Sequence, residues 1–285
     1  MKSNSAIVGS LGIALLSSLL SFANSSSAQG TSNVAPANNP MTQMDGRQVN
    51  QQIDEQYLRE QLGDPKEEAA YQSFHKVSED DNKKIRLGVA FLAKYPSDRH
   101  TKAVYEELSQ TYYDRKDLSD FYFYAEKGLS VFPDDVDLLA LSGWAIPRTF
   151  DSHDPDADKK LDKAEVYEKH ALEVLDKMPK PDAVPADQFA QFKSGELAVA
   201  HSGLGLVYFR REQYDTSEKE LEIALKNEAK PDPTDYFILG ADLENLSRFK
   251  EAADAFNQCA QIRGPMQNDC QKYAADATQR AAAAK

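Results

Sequence analysis

The 285-residue sequence has two cysteines, one tryptophan and no CxxC pair. Two thiols are too few for a disulfide scaffold or a structural zinc cluster, and the missing CxxC disfavours thiol–disulfide exchange. Thirteen glycines and thirteen prolines do not suggest a glycine-rich β protein, and no run of alternating β-branched residues reads as a strand. Basic residues are outnumbered by acids, 33 against 46, for a formal charge of −13. A surface of that sign repels nucleic acid and anionic lipid. GxSxG, HExxH, GxxxxGKS/T and GxGxxG motifs are absent, so no catalytic group or cofactor site stands out. The five histidines, at 75, 100, 153, 170 and 201, are scattered, and His201 falls on a helix-packing position. Apolar residues, by contrast, make up 41%, enough for a packed core over most of the chain.

Lys2 is the only charged residue before residue 30, and Ala6–Phe22 is an apolar stretch diluted by Ser and Gly. Ser26-Ser27-Ala28 supplies small residues suited to a cleavage site. This is the plan of a secretory signal peptide over residues 1–28, and the stretch is shorter than the ~20 apolar residues of a membrane span. Cleavage removes Lys2 and takes the formal charge from −13 to −14. No other segment is apolar enough to span a membrane. The expectation is an exported protein, periplasmic or secreted. Residues 29–60, rich in Asn, Gln, Ser and Pro at their start, read as a disordered linker to a helical domain over 61–285.

From Asp64-Pro65, an N-cap and first-turn signal, the chain reads as short helices of about 12–17 residues punctuated by prolines. Tyr95-Pro96 and Phe132-Pro133 mark two stops. The last third repeats. His201, Leu204, Gly205, Tyr208, Tyr214, Ser217, Leu221 and Ala224 pair with Tyr236, Leu239, Gly240, Leu243, Phe249, Ala252, Phe256 and Cys259, each 35 residues on. An aromatic, two residues, Leu-Gly, two residues and Tyr, followed by a small residue with a bulky one four later, resembles the tetratricopeptide repeat. Lys102–Asp134 fits with Ser109 in place of the glycine, Val136–Met178 fits more weakly through Gly143, Ala164 and Ala171, and Pro65–Pro96 is weakest. The resemblance implies an all-α, α–α superhelix of about four to five helical pairs with a capping helix at Met266–Arg280. In it, small residues such as Gly205 and Gly240 allow close helix approach.

Two insertions interrupt the period: about nine residues between Ile146 and Ala164, and Lys180 to about Phe192. In the first, Asp154, Asp156, Asp158, Leu161, Asp162 and Glu165 have the 1, 3, 5, 8, 9, 12 spacing of an EF-hand loop, with Lys159 where the turn glycine belongs. A calcium site on Asp154, Asp156, Asp158 and Glu165 stands beside the plainer reading, an acidic surface loop that caps the next helix. Cys259 and Cys270 flank the Gly264-Pro265 turn and are a candidate disulfide in an exported protein.

The stripe beside the packing stripe of each first helix should face the inner groove of such a stack. It holds Tyr113; Trp144 and Arg148; Leu206, Phe209 and Arg210; and Phe237 and Glu244. Trp144, Phe209 and Phe237 are the expected aromatic anchors, and Arg148 and Arg210 the expected contacts for carboxylates. The function implied is non-catalytic capture of a protein or peptide without a cofactor. The alternatives are a cell-envelope enzyme acting on glycan or peptide, and a calcium-stabilised binding module.

Overall fold

The structure is a computed structural model and describes residues 64–283. The expected signal peptide (1–28) and linker (29–60) lie outside the described residues. Among the described residues there are eleven helices and no strand. They divide into two compact units, residues 64–111 and 112–283.

In the first unit, α1 (Pro65–His75) starts where the Asp-Pro signal places it: Asp64 accepts a hydrogen bond from the Lys66 amide at 2.8 Å, and Pro65 needs no amide partner. Helix α2 (Asp81–Lys94) stops before Tyr95-Pro96, and α3 (Thr101–Asp114) follows. Gly88 is the small residue of this unit. A Cβ there would lie 2.7 Å from the Phe74 ring and 2.8 Å from Leu108. Tyr71 stacks on His100 with ring centres 3.8 Å apart. Burial pushes the Glu68 carboxyl up, but hydrogen bonds from His100, Gln72 and Arg99 outweigh it and hold the group at about 2.

The second unit holds the end of α3, then α4 (Leu118–Val131), α5 (Val136–Arg148), α6 (Ala157–Lys177), α7 (Ala186–Arg210), α8 (Tyr214–Asn227), α9 (Pro233–Asn245), α10 (Phe249–Gln261) and α11 (Gln267–Ala283). Neighbours in sequence pack as pairs, and the first helices of successive pairs also touch: α5 against α7, and α7 against α9. Three of the tight turns are built alike. Lys116, Glu212 and Ser247 take left-handed φ values of 64°, 59° and 61°. The Glu212 and Ser247 amides bond to Phe209 O and Glu244 O, each at 2.9 Å. The next amides, of Gln213 and Arg248, reach back to Tyr208 O and Leu243 O at 2.9 and 2.8 Å. This closure satisfies the last carbonyls of each first helix. Glu212 and Ser247 are again 35 apart, so the repeat seen in the side chains is also a repeat of the backbone.

The glycines do what the repeat predicts. A Cβ at Gly205 would lie 2.6 Å from Leu221 Cγ, and one at Gly240 would lie 2.6 Å from the Phe256 ring. Both partners are fully buried. Ser217 Oγ lies 2.8 Å from Gly205 O, which joins the two helices at their closest approach. Helix α11 closes the C-terminal end. Cys259 of α10 and Cys270 of α11 form a disulfide with a Cα separation of 5.7 Å, and Tyr273 packs on Phe237 and Phe256.

Two expectations need correction. Helices α6 and α7, at 21 and 25 residues, exceed the expected length. The second insertion is no separate excursion: from Ala186 its residues are the first turns of α7. After Pro185 no residue stops a helix before Gly195, which is exposed and meets no neighbour within 4 Å, so the helix runs through it. No described helix is long and apolar enough to cross a membrane.

Candidate functional site

The residues expected to line one groove take quite different places. Leu206 is 2% exposed and packs with Leu221 and Ile238, so it belongs to the core rather than to a binding face. Phe237 is half-buried in a ring cluster, 5.4 Å from Phe256 and 5.1 Å from Tyr273. It anchors α11, because the capping helix covers the face that an open end would have exposed. Glu244 pairs with Arg280 of the same cap at 3.1 Å. Tyr113 packs edge-on against Phe121 and Trp144, with its hydroxyl pKa pushed up by burial.

Arg148 is not available to a partner's carboxylate. Its guanidinium stacks on Trp144, 3.8 Å from the ring centre. Its Nη2 reaches Ser202 Oγ at 3.0 Å and Asp232 Oδ2 and Asp235 Oδ1 at 3.1 Å. Ser202 in turn donates to Asp235 at 2.7 Å. One cation therefore ties α5, α7 and α9 together. It serves several acids: burial, then the charge of Asp235, pushes Glu228 up to about 7, and burial pushes Asp235 up to about 6 against the pull of Arg148. The spacing marked Arg148 as a groove residue. It is silent about the aspartates, which stand 84 and 87 residues further on.

Phe209 and Arg210 are placed differently. With Phe150, Tyr214, Asp151, Ser152, His153 and Glu212 they line a cleft of about 500 Å³ between the α5–α6 connection and the α7–α8 turn. The cleft is open to solvent and its lining is mostly polar. The Arg210 guanidinium lies 5.4 Å from the centre of the Phe150 ring, and its Nε donates to Pro147 O at 3.2 Å. It makes no ion pair among the described residues, and desolvation alone lowers its pKa. Phe209 and Tyr214 meet edge-on at 6.1 Å, both half-buried. Tyr214 appeared in the sequence only as a packing position of the repeat. Phe150 carried no signal, because the connection it sits in follows no period.

The acidic connection is not an EF-hand loop. Helix α6 already begins at Ala157, so Asp158 and Glu165 are helical and do not turn back toward Asp154. The carboxylates are also paired within the chain. Asp154 pairs with Lys160 and accepts the Asp156 amide at 2.9 Å, and Asp156 pairs with Lys159 at 2.7 Å. Glu165 takes Lys169, Arg211 and the Tyr208 hydroxyl; burial pushes its carboxyl up, but these bonds prevail and hold it at about 2. The plainer reading is also amended, since the N-cap residue Asp156 makes no side-chain capping bond.

Sequence reasoning missed Glu168. It holds the position in α6 that Leu221 and Phe256 hold in α8 and α10, and it is fully buried. A Cβ at Gly143 would lie 2.5 Å from its carboxyl carbon, and one at Gly203 would collide with Oε1. The only warning in the sequence was the mismatch of a charged residue at an otherwise apolar repeat position.

No family model matches the chain, and no curated protein matches it significantly. Solved structures do. A thermophilic TPR protein of Thermus thermophilus is similar over 70% of this chain and 91% of its own, with a TM-score of 0.47 and 18% identity. A tetratricopeptide repeat protein of Parabacteroides merdae is similar over 73% of this chain and 96% of its own, with a TM-score of 0.31 and 14% identity.

Proposed function

We propose that the chain is an exported, non-catalytic helical-repeat scaffold that captures a protein or peptide partner, with the Phe150–Phe209–Arg210–Tyr214 cleft as a contact point. The observation that carries this reading is Arg210: a guanidinium with no ion pair among the described residues, beside half-buried rings, in a chain where acids outnumber bases by 46 to 33. Rings supply contact area at low entropic cost, and the guanidinium fits a carboxylate with two parallel hydrogen bonds. The partner segment expected is one with a carboxylate beside an aromatic or aliphatic side chain. The signal-peptide-like pattern of residues 1–28 supports export, and the disulfide accords with an oxidising compartment.

The test is binding of the mature chain to a peptide array in which each peptide appears with a free and with an amidated C-terminus, and with Glu or Gln beside an aromatic residue. Wild type is expected to prefer the free or Glu forms. Arg210→Glu should weaken those by about tenfold or more, since a hydrogen bond to a charged group contributes roughly 1.5–3 kcal/mol. Its melting temperature should stay unchanged. Charge-blind binding, or binding unaltered by Arg210→Glu, would remove the cleft from the proposal.

A further inference from the structure

The first helices of the last three pairs, α5–α6 (the third), α7–α8 (the fourth) and α9–α10 (the fifth), each bring a glycine against the second helix, and in two of them the space is filled by hydrocarbon. In the third pair it is filled by a carboxyl group. Glu168 is 0% exposed, and both of its carboxyl oxygens are sealed from solvent with no hydrogen-bond partner among the described residues. Its socket is made on two sides: Gly143 of α5 stands opposite it, and Gly203 of α7 comes from the next pair. The residue 35 positions after Gly203 is Ile238, a buried core residue. The fourth pair thus has no side chain at the position where the fifth has isoleucine, and the room is occupied by the Glu168 carboxyl. The charges that act on it are Arg148 of α5, which favours ionisation, and Glu196 of α7, which opposes it. Among the described residues these are the two charges that bear on it most.

We propose that Glu168 is a proton-operated wedge: with its proton in place α5, α6 and α7 close around it, and loss of the proton to solvent drives them apart. A neutral carboxyl is tolerated in a dry socket, whereas a carboxylate with no donor is among the most costly groups to bury. Burial raises the pKa of Glu168 well above its ordinary 4.5. A carboxyl whose folded pKa is raised holds more protons in the folded state. Its effect on stability is therefore least harmful below the unfolded pKa, and stability falls as pH rises through the window up to the folded pKa. Glu228, Asp235 and Asp242, raised to about 7, 6 and 7, act in the same direction, so the effect of Glu168 must be read as a difference between variants.

The experiment is thermal melting of the mature chain between about pH 5 and about pH 8, for wild type, Glu168→Gln and Glu168→Leu. Glu168→Leu copies Leu221 and leaves no polar group to bury. The wild-type melting temperature should fall more steeply with pH than that of either variant, by roughly 3–5 °C per pH unit within the window. Infrared difference spectra of wild type minus Glu168→Gln at the acid end should show one carboxylic-acid carbonyl component lost, while the acid carbonyls of Glu228, Asp235 and Asp242 remain. Hydrogen exchange should show α6 opening faster at the alkaline end in wild type alone. Parallel melting curves in both variants, or no change in the acid band, would overturn the proposal.

Discussion

In the fourth and fifth pairs the residue facing the first-helix glycine is Leu221 or Phe256; in the third it is Glu168. The backbone plan is shared: a glycine at 143, 205 or 240, and a second-helix side chain pressed against it. The difference shows that the repeat prescribes how closely two helices approach, but not the polarity of what fills the contact. Polarity is settled by the next pair, since Gly203 of α7 opens the socket that a Glu168 carboxyl needs. The connections differ as well. The fourth and fifth pairs turn through one left-handed residue, Glu212 or Ser247, while the third passes through residues 149–156, which bring Phe150 to the cleft beside Arg210.

The largest effect that would sharpen this contrast is expected at Phe256. Phe256→Ala leaves a cavity against Gly240 and should lower stability by about 3–5 kcal/mol, read from urea unfolding. A loss under about 1 kcal/mol would mean that the glycine contact contributes little to the fold. A smaller effect is expected at the socket. Gly203→Ala should cost about 1–3 kcal/mol by crowding Glu168. In a Glu168→Ala background the same change should be better tolerated, with a coupling of about 0.5–3 kcal/mol in a double-mutant cycle. Strict additivity would show that the two residues do not share the space. The smallest effect concerns the acidic connection of the third pair. Calcium against chelator should leave the melting temperature unchanged, because Asp154, Asp156 and Glu165 already have lysine or arginine partners. A clear rise with calcium would return the EF-hand reading.

Much of this arrangement was legible in the residues. Asp64-Pro65 placed the start of α1, and Tyr95-Pro96 and Phe132-Pro133 placed the ends of α2 and α4, because capping and proline sterics act within a few residues. The 35-residue interval marked Gly205 with Leu221 and Gly240 with Phe256, because size complementarity between paired helices recurs in sequence. Phe209 and Arg210 were named together from their spacing, and both line one cleft. Arg148 was not legible in the same way: its guanidinium is claimed by Asp232 and Asp235, and no local pattern links residue 148 to residues 232 and 235.

Chain-local interactions therefore wrote the helices, their caps and their spacing into the sequence itself: a hydrogen bond to the next turn, or a proline ring against the preceding residue, depends on immediate neighbours. Which carboxylates are dry, which arginine is spoken for and which is left over were decided only when distant helices met. Burial and charge pairing depend on what stands within a few ångströms in space, and for Glu168, Arg148 and Arg210 those neighbours come from other helices or from a connection with no period.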